Sequence, residues 1–304
     1  YTVRFNGNGH TGGTMSNQTF TYDAAENLPL NTFTKTGYTF GGWARSSGIT
    51  TVVRTDGAAA NNLAESGTVD LYAVWYKNPT VTFKVEGGTG GSLKGTYGGI
   101  PKTAGGTTEQ SFTVTYGGSI NFETTPTYAW EVEHWTGLTA SPANAATVTF
   151  SDITQDTIVK VKFKKTTTVK STDPQPWKLL KEVIKIADNN AVITINGEIE
   201  ATSGDNAGEL KTYLPSSGRL TIQGGTTDAA LNAKSQNRIF KIDNDNTLNL
   251  KNLTLKNGKA NPGGFTDYRY GGAIYAVRIK TLMLKNCVIE DCIAYGGGGI
   301  YLNG

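Results

Sequence analysis

The sequence predicts a mainly β protein in which two small β modules are followed by the beginning of a parallel β-helix. Three observations predict this fold class: short strands of alternating apolar and polar residues, turn-forming segments between them, and an internal repeat near the C-terminal end. Hydrophobic residues make up 37% of the 304 residues, charged residues make up 17%, and glycine contributes 38 residues. This composition is more typical of a turn-rich β protein than of a globular enzyme.

Charge, hydropathy and cysteine content limit the partners and the environment that can be expected. The net charge of +3 gives no electrostatic reason to expect a nucleic-acid or anionic-membrane partner. No apolar run is as long as a membrane span. The chain starts at Tyr1 and has no signal peptide, so we expect a fragment or processed piece of a larger protein. For Cys287 and Cys292 we expect two separate thiols, with Cys287 buried, because a disulfide would need a turn between them.

The first predicted module covers residues 1–76. Val3 and Phe5 alternate with polar residues in a half-buried strand, and the Asn-Gly-Asn-Gly segment at 6–9 favours a turn with left-handed backbone. Large aromatic side chains in later strands can fill the core of so small a unit. The predicted core aromatics are Tyr38, Phe40, Trp43, Tyr72 and Trp75. For Trp43 and Trp75, core packing is favoured over a ligand-stacking role.

The second predicted module covers residues 78–165 and again consists of alternating strands. Its glycine-rich segment at 87–92 is not a nucleotide-binding loop, because it lacks a Gly-Lys-Ser/Thr ending and no helix follows it. The two histidines, His10 and His134, lie in different modules, so a metal site or a catalytic triad in either module would depend on a lone histidine. The polar segment 166–176, with two prolines, is predicted to be an extended linker.

The third predicted module covers residues 177–304 and begins with a helix. Apolar residues recur at spacings of three and four between 177 and 187, which predicts an amphipathic capping helix that shields the first turn of the β-helix. Several short apolar strand segments follow this helix. No other segment of the chain has a convincing helical pattern.

An internal repeat predicts how these strands are arranged. Residues 247–260 return as 281–294, which is a spacing of 34 residues, and residues 271–275 return as 297–301, which is a spacing of 26 residues. The two spacings differ by eight, so we expect an insertion between residues 260 and 271 and a turn of about 26 residues in its absence. Stacked turns would satisfy each other's strand edges. The sequence therefore predicts a parallel β-helix that is incomplete at residue 304.

The repeat also predicts which side chains stack. Asn252 and Asn286 fall at equivalent corners, where asparagine tolerates left-handed backbone and its side chain can form a ladder between turns. Five inward residues of one turn should be covered by five of the next. The first set is Leu248, Leu250, Leu253, Leu255 and Ile274, and the second set is Leu282, Leu284, Cys287, Ile289 and Ile300.

Several separated blocks of the first module resemble the internalin-type B repeat, also called the Listeria-Bacteroides repeat. They are Tyr-Thr-Val-Arg-Phe-Asn-Gly-Asn-Gly at 1–9, Gln-Thr-Phe-Thr-Tyr-Asp at 18–23, Lys-Thr-Gly-Tyr-Thr-Phe-Gly-Gly-Trp-Ala at 35–44 and Leu-Tyr-Ala-Val-Trp at 71–75. The resemblance implies a β-grasp-like fold in tandem arrays on secreted bacterial surface proteins, where the repeats serve as spacers and occasionally in adhesion. The second module is similar to a divergent relative, with Trp135-Thr136-Gly137 near the position of the Gly-Trp block.

The third module resembles the repeats of polymorphic outer-membrane proteins. The relevant patterns are Gly-Gly-Ala-Ile at 271–274 and Asn-Cys-x-Ile-x-x-Cys at 286–292. The second pattern of that family normally continues as Phe-x-x-Asn, and Ile289 and Cys292 stand in those places here. The resemblance implies a right-handed β-helix on an exported adhesin or autotransporter-like protein.

The sequence offers few candidate functional residues, and we predict no catalytic residue and no cofactor. Asp243 and Asp245 are a weak candidate for a cation site, but the segment lacks the glycine and the distal glutamate of a helix-loop-helix calcium loop, and a polar turn is the favoured interpretation. The expected insertion carries Phe265, Tyr268, Arg269 and Tyr270. These residues are a candidate recognition surface, or else a loop packed on its own flank.

Two functions from different classes remain open. The first is a non-enzymatic cell-surface protein, extracellular or secreted, whose repeats are a stalk and whose β-helix binds a host protein or a glycan. The second is a carbohydrate-active β-helix, either a lyase or a hydrolase, with its site partly beyond residue 304, since the fold alone does not decide between them. We expect no nucleic-acid partner and no membrane span. The open end of the β-helix is expected to allow self-association.

Overall fold

A computed structural model describes residues 1–214, 217–242, 245–260 and 269–303 of the chain. The fold is mainly β, as the sequence predicts. The chain divides into two compact units. The first comprises Tyr1–Thr125 with Val132–Lys162, and the second comprises Pro126–Glu131 with Phe163–Gly304. Both predicted repeat modules contribute to the first unit.

The first module forms a single four-stranded sheet. Its strands are β1 (Thr2–Asn6), β2 (Gln18–Thr19), β3 (Tyr38–Ala44) and β4 (Thr68–Lys77). The order is β2-β1-β4-β3, in which the central pair β1 and β4 is parallel and the two outer pairs are antiparallel. Val3 and Phe5 face the core and Arg4 between them is exposed, because successive side chains of a strand point to opposite faces. The turn predicted after β1 has left-handed backbone at Asn8 and Gly9.

Trp43 lies at the centre of the core of the first module. Its side chain is completely buried, and its ring centroid lies 5.0 Å from the centroid of Phe40. Residues of the loops between the strands cover the sheet: Phe20, Leu28, Phe33, Ala60 and Leu63. Phe40 and Trp75 pack against this core, as predicted, but Tyr38 and Tyr72 do not belong to it. Tyr72 lies between two inward-facing residues of β4 and so points away, and Tyr38 is 38% exposed at the start of β3.

The second module forms two four-stranded sheets. Its strands are β5 (Thr80–Val85), β6 (Gly91–Tyr97), β7 (Ile100–Gly105), β8 (Glu109–Thr113), β9 (Gly118–Pro126), β10 (Trp130–Thr136), β11 (Thr147–Ile153) and β12 (Thr157–Lys165), with a short 3-10 helix at Glu86–Gly88. The sheet orders are β8-β5-β12-β10 and β7-β6-β9-β11. Phe83 of the first sheet and Phe122 of the second lie 5.3 Å apart between ring centroids, so the two sheets bury their apolar faces against each other.

One sheet of the second module repeats the sheet of the first module. The order β8-β5-β12-β10 corresponds to β2-β1-β4-β3, and in both sheets the first and last strands of the module are parallel neighbours. The pairing register shows which residues of the two modules are equivalent. Val3 pairs with Val69 in the first module and Val81 pairs with Thr157 in the second. Val81 therefore corresponds to Val3, and Thr157 corresponds to Val69. Trp43 and Trp135 occupy corresponding strands, and both are buried.

The second unit contains one helix and thirteen strands in its described residues. They are β13 (Thr168–Lys170), α1 (Pro176–Ile186), β14 (Ala191–Asn196), β15 (Glu198–Glu200), β16 (Leu210–Lys211), β17 (Arg219–Gly224), β18 (Ala230–Asn232), β19 (Phe240–Ile242), β20 (Thr247–Lys251), β21 (Thr254–Lys256), β22 (Ile274–Val277), β23 (Thr281–Lys285), β24 (Val288–Glu290) and β25 (Ile300–Asn303), with a short 3-10 helix at Gly204–Asn206. The strands form three sheets of parallel neighbours, ordered β13-β14-β17-β20-β23, β15-β18-β21-β24 and β16-β19-β22-β25. From β14 onward, each turn of the chain adds one strand to each sheet.

The register of these sheets confirms the spacing of the internal repeat. Leu248 pairs with Leu282 and Leu255 pairs with Ile289, both 34 residues apart, whereas Ile274 pairs with Ile300, which is 26 residues away. The five residues predicted to point inward in the earlier turn are at most 2% exposed. Most of the predicted insertion lies outside the described residues.

The prediction that Cys287 is buried is wrong. Cys287 and Cys292 are free thiols, as predicted, but both are only half-buried. They lie in the last described turn, and among the described residues no strand pairs with β23, β24 or β25 on the side away from the preceding turn. The inward residues of this turn are less covered than their partners for the same reason, and Leu284 is 36% exposed.

A helix is present where the sequence predicts one, as α1, and its apolar face is buried. Trp177, Leu180, Val183 and Ile184 are buried in the same apolar cluster as the inward residues of the first turn. The predicted linker 166–176 needs a correction, because Thr168–Lys170 forms β13 and pairs with β14. Val169 at its centre is completely buried, so this segment is part of the sheet.

The predicted asparagine corners are present. Asn252 and Asn286 have left-handed backbone, with φ of 51° and 54°. The side-chain amide of Asn286 donates a hydrogen bond of 3.1 Å to Oδ1 of Asn252. The two residues therefore form the predicted ladder between consecutive turns.

Candidate functional site

The first candidate site is the joint between the two modules, which we define by Thr39, Tyr76, Asn78 and Tyr116. Strand β4 ends at Lys77 and β5 begins at Thr80, so the joint is only two residues long. The backbone amide of Asn78 donates to the carbonyl of Gly37 at 2.9 Å, and the hydroxyl of Thr39 donates to Oδ1 of Asn78 at 2.6 Å. Such a short, hydrogen-bonded connection has little conformational freedom.

Side chains from both modules complete the joint. The rings of Tyr76 and Tyr116 are stacked, with 4.5 Å between centroids and 24° between planes. The backbone amide of Tyr116 donates to Oγ1 of Thr39 at 3.1 Å. Gly41 has space for the ring of Tyr76, since a Cβ atom at this position would lie 2.2 Å from Cε2 of that ring. The joint can therefore hold two modules in one orientation.

The second candidate site is a polar cluster on the outer face of the sheet β15-β18-β21-β24. We call it the second-sheet cluster and define it by Glu198, Glu200, Asn232, Lys234 and Lys256. The two oxygens of Glu198 accept from different residues, from Nδ2 of Asn232 at 2.5 Å and from Nζ of Lys256 at 2.7 Å. Lys234 is paired with Glu200 at 3.1 Å. Asn232, at the centre of the cluster, is only 4% exposed.

The ionisation of this cluster does not suit acid–base catalysis at neutral pH. Burial disfavours the charged form of Glu198, but the hydrogen bonds from Lys256 and Asn232 outweigh it and hold the pKa of this carboxyl below its ordinary value. The hydrogen bond to Glu198 raises the pKa of Lys256. A general acid needs a raised carboxyl pKa and a general base at a lysine needs a lowered pKa, and the pKa values of Glu198 and Lys256 are shifted in the opposite directions. The cluster can therefore stabilise the stacking of turns, but it is poorly suited to proton transfer.

Two further features on the second unit concern ligand binding. A groove of about 550 Å³ follows the asparagine corner, and its lining includes Thr226, Thr227, Asn252 and Asn286. On the third sheet, Arg238 is 2% exposed, pairs with Glu209 at 2.9 Å and lies 4.7 Å from the ring centroid of Tyr275. This buried ion pair orders the sheet and is not accessible to a partner.

The predicted recognition surface is only partly described. Phe265 and Tyr268 lie outside the described residues. Tyr270 is half-buried, and its ring stacks on Tyr301 with 4.6 Å between centroids. Tyr301 in turn stacks on Tyr275 at 5.5 Å, so the faces of these rings contact one another. For Tyr270, these contacts favour the packing alternative, whereas Arg269 beside it is exposed.

Of the predicted cation site, only Asp245 lies in the described residues. Asp243 lies outside the described residues, and the backbone carbonyl of Asp245 accepts from the amide of Ser217 at 2.7 Å. Trp75 is half-buried and donates through Nε1 to the carbonyl of Gly7 at 2.9 Å, which fits the core interpretation made for it and for Trp43. Among the described residues, no group of three or more His, Cys, Asp or Glu side chains is arranged to hold a metal ion.

The residues of the joint and of the second-sheet cluster were missed by the sequence reasoning. Thr39 and Tyr76 have the appearance of ordinary strand residues, and Tyr116 precedes a Gly-Gly pair that indicates only a turn. One signal was available, namely the short distance between the last strand of one module and the first strand of the next. A two-residue connection between strands implies that the modules touch.

The family model of the Listeria-Bacteroides repeat domain matches residues 1–74. No curated protein and no solved structure matches the chain significantly. Among the described residues, no helix has the length and apolar character needed to cross a membrane. The repeat predicted at 1–76 is thus confirmed, and this repeat family is typical of bacterial surface proteins.

Proposed function

We propose that the chain is a non-enzymatic part of an extracellular bacterial surface protein, in which two repeat modules form a stiff spacer that presents a β-helix. The observation that carries the proposal is the joint. Its two-residue length, the stacked Tyr76 and Tyr116, and the hydrogen bonds around Asn78 give the modules one relative orientation. A spacer must keep its length and direction, and a joint of this kind supports both.

The fold assignment belongs to the same proposal. We assign the first module a β-grasp-like fold and the second module the role of a divergent repeat, which is supported by the common strand order of their sheets. We assign the second unit to the right-handed parallel β-helices with a capping helix. The three parallel sheets and the buried face of α1 support this assignment.

The β-helix is the surface that meets a partner, which we propose to be a host protein or a glycan. The groove beside Asn252 and Asn286 supports a glycan, because amide and hydroxyl groups line it. Sugar hydroxyls are recognised by such groups through direct and water-mediated hydrogen bonds. Exposed Arg269 and the strongly exposed Tyr295 offer further contacts.

The spacer function is tested by measuring whether residues 1–77 and 79–162 tumble as one body. We expect the residual dipolar couplings of both modules in the full chain to fit a single alignment tensor. The variant Thr39→Ala/Tyr76→Ala should give two tensors, because it loses the hydroxyl and the ring that connect the modules. Tyr22→Ala, which removes an exposed tyrosine, is the matched control and should retain one tensor. Two tensors in the unmodified chain would contradict a stiff spacer.

The absence of catalysis is tested on the same purified chain. We expect no depolymerisation of neutral or acidic polysaccharides, because Glu198 and Glu200 are each held in an ion pair with a lysine. If turnover is detected and is lost in Glu198→Gln or Glu200→Gln, the carbohydrate-active alternative is correct. Asp205→Asn, a change of an exposed carboxylate elsewhere on the unit, is the control for nonspecific effects.

A further inference from the structure

Tyr22 of the first module is equivalent to Tyr116 of the second. In the pairing of β1 with β2, Thr2 lies opposite Thr19, and in the pairing of β5 with β8, Thr80 lies opposite Thr113. The next backbone contact also recurs, because the amide of Phe20 donates to the carbonyl of Tyr1 at 2.8 Å and the amide of Val114 donates to the carbonyl of Pro79 at 2.9 Å. Two residues further along each chain segment is a tyrosine.

The residues that follow these tyrosines support the equivalence. Asp23 follows Tyr22 and has a φ of 61°, and Gly117 follows Tyr116 and has a φ of 77°. In both modules, the segment that follows the strand therefore turns at a residue with left-handed backbone. The two tyrosines differ in their surroundings, since Tyr116 is half-buried against Tyr76, whereas Tyr22 is 44% exposed. Tyr22 thus has the geometry of a joint tyrosine without a stacking partner among the described residues.

The far end of the second module shows what changes when the next element is not a repeat. The amide of Thr166 donates to the carbonyl of Ala129 at 2.9 Å, as the amide of Asn78 does to the carbonyl of Gly37. Ala129 and Gly37 both have left-handed backbone. The backbone hydrogen bond of the joint is therefore repeated at this end.

The side chains at the far end are different. The register places Lys164 at the position of Tyr76 and Glu131 at the position of Thr39, and these two residues form an ion pair of 3.3 Å. At this end an ion pair stands where the existing joint has the threonine and the tyrosine that contact Tyr116. The backbone part of the joint is thus common to both ends, and the side chains indicate which kind of element follows.

We propose that Tyr22 and its turn form a docking surface for a preceding repeat of the same kind. This inference rests on the spacer function proposed above. The partner repeat has a tyrosine at the position of Tyr76, a threonine at the position of Thr39 and an asparagine at the position of Asn78. Its tyrosine stacks on Tyr22, and the hydroxyl oxygen of its threonine accepts a hydrogen bond from the backbone amide of Tyr22, in the geometry of the existing joint.

The experiment places a second copy of residues 1–78 directly before Tyr1 of the full chain. The connection has the natural length, because Pro79, which follows Asn78 in the existing joint, is the equivalent of Tyr1. Hydrogen exchange at the amide of Tyr22 is measured by NMR with and without the added copy. We expect the amide to exchange roughly tenfold more slowly in the extended chain, because it gains an acceptor and a stacked ring.

Two variants of the added copy test the side-chain requirement. Thr39→Ala/Tyr76→Ala should return the exchange of the Tyr22 amide to its original rate. Thr39→Glu/Tyr76→Lys, which imitates the far end of the second module, should do the same. Tyr72→Ala in the added copy, which changes a half-buried tyrosine away from the joint, should leave the protection in place.

The amide of Tyr116 in the same samples reports on the existing joint and separates the two proposals. If Tyr116 is protected and Tyr22 is not, the docking surface is refuted while the spacer function stands. If neither is protected, the spacer function itself fails. Because the first module has its own core, failure of the added copy to fold at the natural spacing would also contradict the docking surface.

Discussion

The first two modules share a sheet of the same strand order but cover it in different ways. In the first module, loop residues such as Leu28, Phe33 and Leu63 lie over the buried face of the sheet. In the second module, the sheet β7-β6-β9-β11 covers the corresponding face, and its Phe122 packs against Phe83. The strand order, the parallel central pair and the buried tryptophan are retained. The sheet is therefore the part that the two modules have in common, and the layer that covers it differs.

The family model matches residues 1–74, which lie in the first module. The second module has different loops and additional strands, and it shares with the first module the strand order of one sheet.

The largest expected loss of stability is caused by substitution of the two buried tryptophans. Trp43→Ala should destabilise the first module by about 3–5 kcal/mol, because it leaves a large cavity among Phe5, Phe33 and Phe40. The milder changes to phenylalanine should differ between the modules. Nε1 of Trp43 has no hydrogen-bond partner in the described part of the chain, whereas Nε1 of Trp135 donates to the carbonyl of Ala145 at 2.9 Å.

We therefore expect Trp135→Phe to cost about 1 kcal/mol more than Trp43→Phe, which is the contribution of one hydrogen bond. Urea unfolding followed by residue-resolved NMR measures both values in the full chain. Equal costs at the two positions would mean that the indole hydrogen bond of Trp135 makes no net contribution.

A smaller effect is expected at the residue beneath Tyr76. Gly41→Ala should destabilise the first module by about 1–3 kcal/mol, because the new Cβ atom would overlap the ring of Tyr76. The equivalent residue in the second module is Glu133, which pairs with Lys162 at 3.2 Å on the surface. Glu133→Ala is the matched control and should cost less than about 0.5 kcal/mol. Loss of the nuclear Overhauser contact between Tyr76 and Tyr116 in Gly41→Ala alone would confirm the mechanism.

The smallest effect concerns acid sensitivity. Arg4 and Asp70 form a two-point ion pair between β1 and β4, at 2.5 and 2.8 Å, and the equivalent positions of the second module hold Thr82 and Ile158. The hydrogen bond from Arg4 lowers the pKa of Asp70. A lowered pKa in the folded state contributes stability at neutral pH that is lost as the pH falls through that pKa.

We therefore expect Asp70→Asn to be less stable than the unmodified first module at pH 7, with the difference vanishing in acid. Thermal unfolding at a series of pH values measures it, and Thr82→Ala in the second module should show no such pH dependence. A difference that persists below the pKa of Asp70 would show that the aspartate acts through packing.

Sequence reasoning succeeded where neighbours in space are related by a simple rule along the chain. Alternation predicts the inward residues of β1, and the repeat predicts that Leu248 contacts Leu282, because parallel strands place equivalent residues side by side. The buried Cys287 was wrongly predicted, because exposure depends on whether another turn covers the residue, and the repeat pattern carries no information about that.

The candidate sites depend on relations that no local pattern contains. The second-sheet cluster joins Glu198, Asn232 and Lys256 from three turns of unequal length. The joint brings together Thr39 of the first module and Tyr116 of the second, which are 77 residues apart in the sequence. Tyr38 illustrates the same limit, because an aromatic residue at the beginning of a strand can face either the core or solvent.

The parallel central pair of each module has a mechanical consequence. Strands β1 and β4 are neighbours along five paired residues, and so are β5 and β12. The chain therefore enters a module at one end of this pair and leaves it at the other. A pulling force along the chain acts parallel to both strands, so it loads their ladder of hydrogen bonds in shear, and the bonds must break together instead of one after another. Tension applied to the chain would meet its greatest resistance at the centre of each sheet.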